Sequence, residues 1–320
     1  MVRWGMIGAG DVTEIKSGPA FNKVKDSQLV AIMRRNAAKA EDYARRHKIS
    51  DWYTSAVDIF QRRDINAIYI ATPPSSHKEY ALSAIESGKD VYLEKPMAMN
   101  AAECFEIVNA ARKANVKLCV AHYRRALKCF KTVKDLISQD QIGKVQYAKI
   151  EIFQPEKSEI IARTEDNWRI KPEISGGGLF HDIAPHQIDL MLDYFGEPAD
   201  FFGFSRGKTP GLADIVNGQI EFKSGVLFQG VWNFKAPVEE TKDLCTVIGS
   251  RGKIEFSFYQ EEVQLKTAEK NETYSFTNPE NIQLPLIEKV VAYFNREREN
   301  PCSGEDGLKV IEIMDKFTGY

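Results

Sequence analysis

Three groups of residues in this 320-residue chain have the types and spacing to do chemistry. The first is Glu94-Lys95-Pro96, directly after the apolar run Asp90–Leu93, with Ala71-Thr72-Pro73-Pro74-Ser75-Ser76-His77 following the apolar run before it. A lysine at the carboxyl end of a strand sits where open α/β sheets bind ligands. Lys95 can therefore face a bound small molecule, and Thr72, Pro73 and His77 fall at the same edge; capping or packing the helix that begins near Ser76 is the plainer role for His77. The second group follows three glycines, Gly176-Gly177-Gly178, which lead into a helical pattern carrying Asp182 and His186. Residues four apart share a helix face, so the carboxylate can orient the imidazole and support its cation, as proton transfer requires. The third is Gly8-Ala9-Gly10-Asp11-Val12-Thr13 after the first apolar run. There one glycine makes a tight turn and the next lets the backbone approach a pyrophosphate.

The second apolar run, Leu29–Met33, ends in Arg34-Arg35, where an NAD site commonly carries Asp or Glu. A guanidinium grips a 2′-phosphate and an acid repels one, so the pair favours NADP(H) over NAD(H), with NAD(H) as the alternative. Asp42 lies too far along to replace the missing acid. Asp182, His186 and Asp189 share a face at metal-ligand spacing, but no H-E-x-x-H signature accompanies them, and no metal is assigned. Asp189 reads as a structural hydrogen-bonding residue, His181 as displaced around the helix from the chemistry, and His47 as a solvated helix-end residue.

The elements that must position these groups follow from periodicity. Up to about residue 121, short apolar runs alternate with helical patterns: Arg3–Ile7, Gly18–Lys25, Leu29–Met33, Ala37–His47, Ala67–Ala71, Ser76–Ser87, Asp90–Leu93, Ala101–Asn115 and Lys117–Ala121. That alternation predicts a doubly wound α/β domain with a parallel sheet, residues 1–121. Beyond it, a helix over Ala126–Gln139 and a strand over Lys144–Phe153 precede β-type runs at Gly218–Phe222, Val226–Trp232, Leu244–Ile248, Lys253–Phe258 and Glu262–Lys266. Tight turns between successive strands predict a second α/β domain with a large, open, mostly antiparallel sheet, residues 122–320. The closing helices, Leu284–Arg298 and Leu308–Phe317, can pack back on the first domain.

Composition narrows the partners. Lys and Arg number 43 against 45 Asp and Glu, a net charge of −2, so no field draws the chain to nucleic acid or anionic lipid. The five cysteines are scattered, with no C-x-x-C pair, which predicts reduced thiols. The amino terminus runs straight into the glycine turn, without a signal-peptide pattern, and no stretch has the roughly 20 apolar residues of a membrane span. A cytoplasmic protein acting on a small molecule is the expectation.

Taken together, Gly8-Ala9-Gly10, Glu94-Lys95-Pro96, and Gly176-Gly177-Gly178 with Asp182, His186 and Asp189 resemble the Gfo/Idh/MocA oxidoreductases in order and separation over nearly the whole chain. The resemblance implies a Rossmann domain joined to an α/β domain whose open sheet often supports oligomers, hence a homodimer or homotetramer. It also implies a catalytic set of Lys95, Asp182 and His186, and a hydride moved to or from a C–O carbon of a sugar, keto-sugar or polyol. Arg3-Trp4-Gly5 and Trp168-Arg169 are similar to the anhydrofructose reductase branch. That likeness implies that Trp168, Arg169 and His122 lie with the cofactor and Arg124 with the substrate. His186 is favoured for proton transfer, Lys95 for polarising the substrate oxygen, and Asp182 for orienting both substrate and His186; Lys95 as the proton carrier stays open. The alternatives are a trans-dihydrodiol dehydrogenase and a non-catalytic dinucleotide-sensing regulator. Substrate choice falls to the second sheet and to loops around Gln154–Asn167.

Overall fold

The computed structural model describes residues 1–155, 158 and 167–319. The loop expected to contribute to substrate choice, around 154–167, therefore lies mostly outside the described residues. The chain forms two compact units: Met1–Tyr123 with Pro279–Ile311, and Arg124–Asn278 with Glu312–Tyr320. The division falls at 123 rather than 121, and a carboxyl-terminal segment rejoins the first unit.

In the first unit the apolar runs become strands β1 (Val2–Ile7), β2 (Ser27–Met33), β3 (Asp51–Tyr53), β4 (Ala67–Ile70), β5 (Asp90–Leu93) and β6 (Leu118–Val120), alternating with helices α1 (Ala37–His47), α2 (Ala56–Phe60), α3 (His77–Glu86) and α4 (Ala101–Ala114). The six strands pair in the order β3-β2-β1-β4-β5-β6, all parallel. Strands β1, β4 and β5 are almost wholly buried, as expected of a sheet covered on both faces. Asn36 and Asn100 accept from Lys39 N and Glu103 N and so cap α1 and α4.

The helix expected over Gly18–Lys25 does not form. Thr13–Ser17 is a π-helical turn, and Gly18–Asn22 continues it as 3₁₀. Pro19 has no N–H to donate to the carbonyl of Ile15, so Thr13–Ser17 cannot run on as an α-helix through Gly18, whereas at the start of Gly18–Asn22 itself the ring is tolerated. Nor is His47 solvated. Its ring lies tilted against Tyr43, with centroids 4.2 Å apart, and Nε2 lies 2.9 Å from Glu14.

The second unit contains α5 (Lys128–Ser138), β7 (Val145–Phe153), α6 (Pro172–Ser175), α7 (Leu179–Phe195) and seven more strands: β8 (Pro198–Arg206), β9 (Ile215–Phe222), β10 (Leu227–Asn233), β11 (Lys242–Gly249), β12 (Gly252–Phe256), β13 (Glu262–Thr267) and β14 (Asn271–Ser275). They form one sheet in the order β14-β13-β12-β11-β7-β10-β9-β8, antiparallel except where β10 runs parallel to β7. Alternate residues of β7, β9 and β10 are buried, including Ile150, Ile152, Val216, Ile220, Phe228 and Trp232. Phe180 of α7 meets Trp232 edge-on at 5.2 Å. On the other face Phe202, Phe204, Ile215 and Leu227 are exposed.

Helix α8 (Leu284–Phe294) belongs to the first unit, where Phe294 packs on Trp4 at 5.4 Å. Burying Leu286, Ile287, Val290 and Val291 contributes about 1.5–3 kcal/mol each, enough to fix the returning segment. Helix α9 (Gly304–Thr318) closes the chain, and its Phe317 lies against Gly203 and Gly218 in the second unit. Among the described residues no helix is long and apolar enough to cross a membrane.

Candidate active site

In the first unit the candidate residues gather at the carboxyl ends of β1, β4 and β5. Gly8 has φ +96, and a Cβ there would come within 2.9 Å of the Ala71 backbone and 2.8 Å of Thr72 Cγ2, so only glycine fits the turn against the neighbouring loop. The Gly8 and Ala9 N–H groups both donate to Met33 O, which anchors the turn to the end of β2. Over Gly10 the turn is open: an added Cβ would meet nothing nearer than 3.9 Å. Asp11 is exposed and Val12 half-buried beside it. Thr13, at the third fingerprint position, is buried, and its hydroxyl donates to Gly10 O at 2.8 Å. A close backbone approach to a dinucleotide pyrophosphate fits this opening.

Arg34 and Arg35 follow β2. The Arg34 N–H donates to Tyr53 O at 3.1 Å, while the Arg35 side chain is exposed beside the capped start of α1. Thr72 and Pro73 are half-buried. His77 is wholly buried, with Nδ1 2.9 Å from Pro96 O and Nε2 2.7 Å from Thr72 O. It ties the β4 and β5 loops together from beneath, and burial pushes its pKa down.

Glu94 is almost fully buried. Its Oε1 accepts from Tyr69 Oη at 2.7 Å and from Gln283 Nε2 at 2.6 Å, and its Oε2 accepts from Lys95 N at 3.3 Å. Burial raises its pKa, opposed by the bonds from Gln283 and Tyr69 and by the Lys95 charge. Lys95 is half-buried next to it. Gln283 stands 188 positions beyond Lys95 in sequence and carried no signal of its own.

In the second unit the glycines shape the start of α7. A Cβ on Gly177 would lie 2.0 Å from His181 Nδ1, so the ring and the turn fit only because that residue has no side chain. Gly178, at φ +74, donates its N–H to Ser175 Oγ at 2.9 Å, which fixes the turn. His181 is buried with neither ring nitrogen hydrogen-bonded, and burial pushes it down to about 4. It is a neutral packing residue.

Asp182 is engaged by Arg169, whose Nε donates to Oδ2 at 2.7 Å, and that guanidinium lies 4.5 Å over the Trp168 ring. Trp168, Arg169 and Asp182 thus form one cluster at the amino end of α7. His186 is buried one turn further along. Asp189 takes a bidentate grip from Arg125, at 2.8 and 2.7 Å, which gives it a structural partner. Arg124 is buried: it donates to Phe258 O and lies 4.8 Å over the Tyr259 ring. Asp243 Oδ1 and Oδ2 accept from Phe258 N and Tyr259 N at 3.1 and 2.9 Å, so this carboxylate, not visible in the motifs, holds the loop that receives Arg124. His122 is buried in the first unit, where its N–H donates to Val120 O at 2.9 Å.

Comparison with known proteins identifies the family. Residues 2–122 match the GFO/IDH/MocA oxidoreductase family, NAD-binding Rossmann fold, and residues 130–255 match the GFO/IDH/MocA C-terminal domain. The chain is 50% identical over 318 residues to oxidoreductase P35 of Formosa agariphila, covering 99% of this chain and 98% of that one. It is 30% identical over 236 residues to the 1,5-anhydro-D-fructose reductase of Ensifer adhaerens, covering 72% and 68%. Among solved structures, the aldose-aldose oxidoreductase of Caulobacter crescentus, complexed with glycerol, superposes with a TM-score of 0.84 at 22% identity over 98% of this chain and 95% of that one, a likeness of fold.

Proposed function

This chain is a member of the Gfo/Idh/MocA oxidoreductase family, and from that premise we propose that it moves a hydride between NADP(H) and a C–O carbon of a sugar, keto-sugar or polyol. The observation that carries this reading is the placement of Lys95 at the carboxyl end of β5, in the sheet whose β1 ends in the open glycine turn. Ligands bind at that edge of an open α/β sheet. The name of one relative, a 1,5-anhydro-D-fructose reductase, supports a sugar-like substrate.

When bound, the nicotinamide supplies or takes up the hydride. The residues handle the proton and the charge. Lys95 polarises the substrate oxygen and reaches the cofactor ribose. His186 receives the hydroxyl proton during oxidation and returns it to the developing alkoxide during reduction. Asp182, held by Arg169, orients His186 and the substrate. Thr72, Pro73, Asp11 and Val12 line the dinucleotide; Trp168, Arg169 and His122 contribute to its binding, and Arg124 serves the substrate. Arg34 and Arg35 select the 2′-phosphate.

The protein assembles as a homodimer or homotetramer through the second sheet, where Phe202, Phe204, Ile215 and Leu227 are exposed. A monomer mass by light scattering at micromolar concentration would reject this. For the activity, the purified protein is mixed with NADPH or NADP⁺ and a panel of aldoses, keto-sugars and polyols that includes 1,5-anhydro-D-fructose. A change at the reduced-nicotinamide absorbance band with a panel member is expected. Tight NADPH binding with no turnover of any of them would favour the dinucleotide-sensing reading instead.

A further inference from the structure

Ile15 O and Lys16 O belong to the turn where Pro19 prevents an α-helix, and both accept from the returning segment: Asn281 Nδ2 donates to Ile15 O at 2.6 Å, and Gln283 N donates to Lys16 O at 3.1 Å. Lys23 Nζ holds Asn281 Oδ1 at 2.6 Å. The side chain of the same Gln283 donates through Nε2 to Glu94 Oε1 and accepts through Oε1 from Tyr92 Oη at 3.1 Å. Tyr69 Oη, 2.7 Å from Glu94 Oε1, is also 2.9 Å from Ser17 Oγ at the end of the π-turn. One buried residue, 1% exposed, therefore bridges the turn that follows the glycine loop, strand β5, and the carboxylate beside Lys95.

We propose that Gln283 is a positioning residue for Lys95: its amide fixes the Glu94 carboxylate beneath the lysine and joins that carboxylate to the dinucleotide turn. The proposal rests on the reading of Lys95 given above. The hydrogen-bond pattern defines the state being held. Oε1 of Glu94 receives two donors and Oε2 one, and these bonds favour the ionised carboxylate against the burial that raises its pKa. A buried carboxylate survives only when its donors are supplied. The other titratable groups around this cluster are Tyr69 and Tyr92, whose phenols burial holds well above 10, and Lys95; Cys119, Cys302 and Tyr123 flank Tyr92.

The test compares NADPH affinity, by fluorescence titration from mildly acidic to mildly alkaline pH, for the wild type, Gln283→Leu and Gln283→Glu, with thermal unfolding confirming that each is folded. Gln283→Leu removes the donor, and NADPH affinity falls on the order of 10-fold at every pH, the scale of a lost bond to a charged group. Gln283→Glu sets two carboxylates against each other. It loses affinity most at alkaline pH and regains it toward acid pH, where one shared proton restores the bond. A Gln283→Glu profile parallel to the wild type, with or without a uniform loss, overturns the proposal and leaves Gln283 as packing. Turnover separates this from the reading beneath it: full activity in Lys95→Met overturns the role of Lys95 itself, whereas an inactive Lys95→Met beside a parallel Gln283→Glu profile overturns only the coupling.

Discussion

Arg169 Nε lies 2.7 Å from Asp182 Oδ2, and the two side chains are 5% and 17% exposed. Such a pair is withdrawn from solvent, so removing one member strands the other. Arg169→Met should destabilise the second unit by about 3 kcal/mol. Adding Asp182→Asn should recover part of that loss, because the stranded charge goes with it. Denaturant unfolding of the two single variants and the double variant checks this; strictly additive losses would show that the pair is not coupled.

Arg34 and Arg35 should set cofactor choice. Wild type is expected to bind NADP(H) more tightly than NAD(H), and the double Ala variant should lose roughly 10-fold to 100-fold of NADP affinity, the scale of charge-assisted bonds to phosphate, with NAD affinity little changed. Dissociation constants for both cofactors decide it. Equal or tighter NAD binding by the wild type would sink the idea.

The second unit should be sensitive to acid through His181. Burial holds this ring neutral, down to about 4, against an ordinary value of 6.5. The unfolded chain therefore takes up a proton that the folded one refuses, and stability is full above 6.5 and falls as pH drops toward 4. Between about pH 7 and about pH 5 the contribution lost is about 2 kcal/mol. His181→Leu should lack this component, so its urea midpoint should fall less over that range than the wild type's; an unchanged pH dependence would contradict it.

Much of this architecture was legible because periodicity and turn residues report local structure. The βαβ series, the Lys95 strand end and the shared face of Asp182 and His186 all lie within short windows. What escaped depends on partners distant in sequence. The turn at Thr13–Ser17 departs from α-helix because Pro19 withholds a donor and because Asn281 and Gln283 supply others from the far end of the chain. His47 is drawn from solvent by Glu14 and Tyr43. Strand β8 was hidden by Pro198, Asp200 and Gly203, residues poor in strand propensity, and is held by its pairing with β9. Asp182 was expected to serve His186, and its bond from Arg169, thirteen residues earlier, became visible only in three dimensions.

The central claim is that Lys95 and His186 serve one proton transfer, and the double-mutant cycle in kcat tests it most directly. With a substrate found in the panel, Lys95→Met and His186→Ala should each lower kcat by on the order of 10²-fold or more, the scale of general acid–base catalysis. NADPH affinity should change far less in His186→Ala. The double variant should be little worse than the poorer single variant, because groups acting as a unit are strongly non-additive. Near-normal turnover in His186→Ala would contradict the account and leave Lys95 as the acid–base residue.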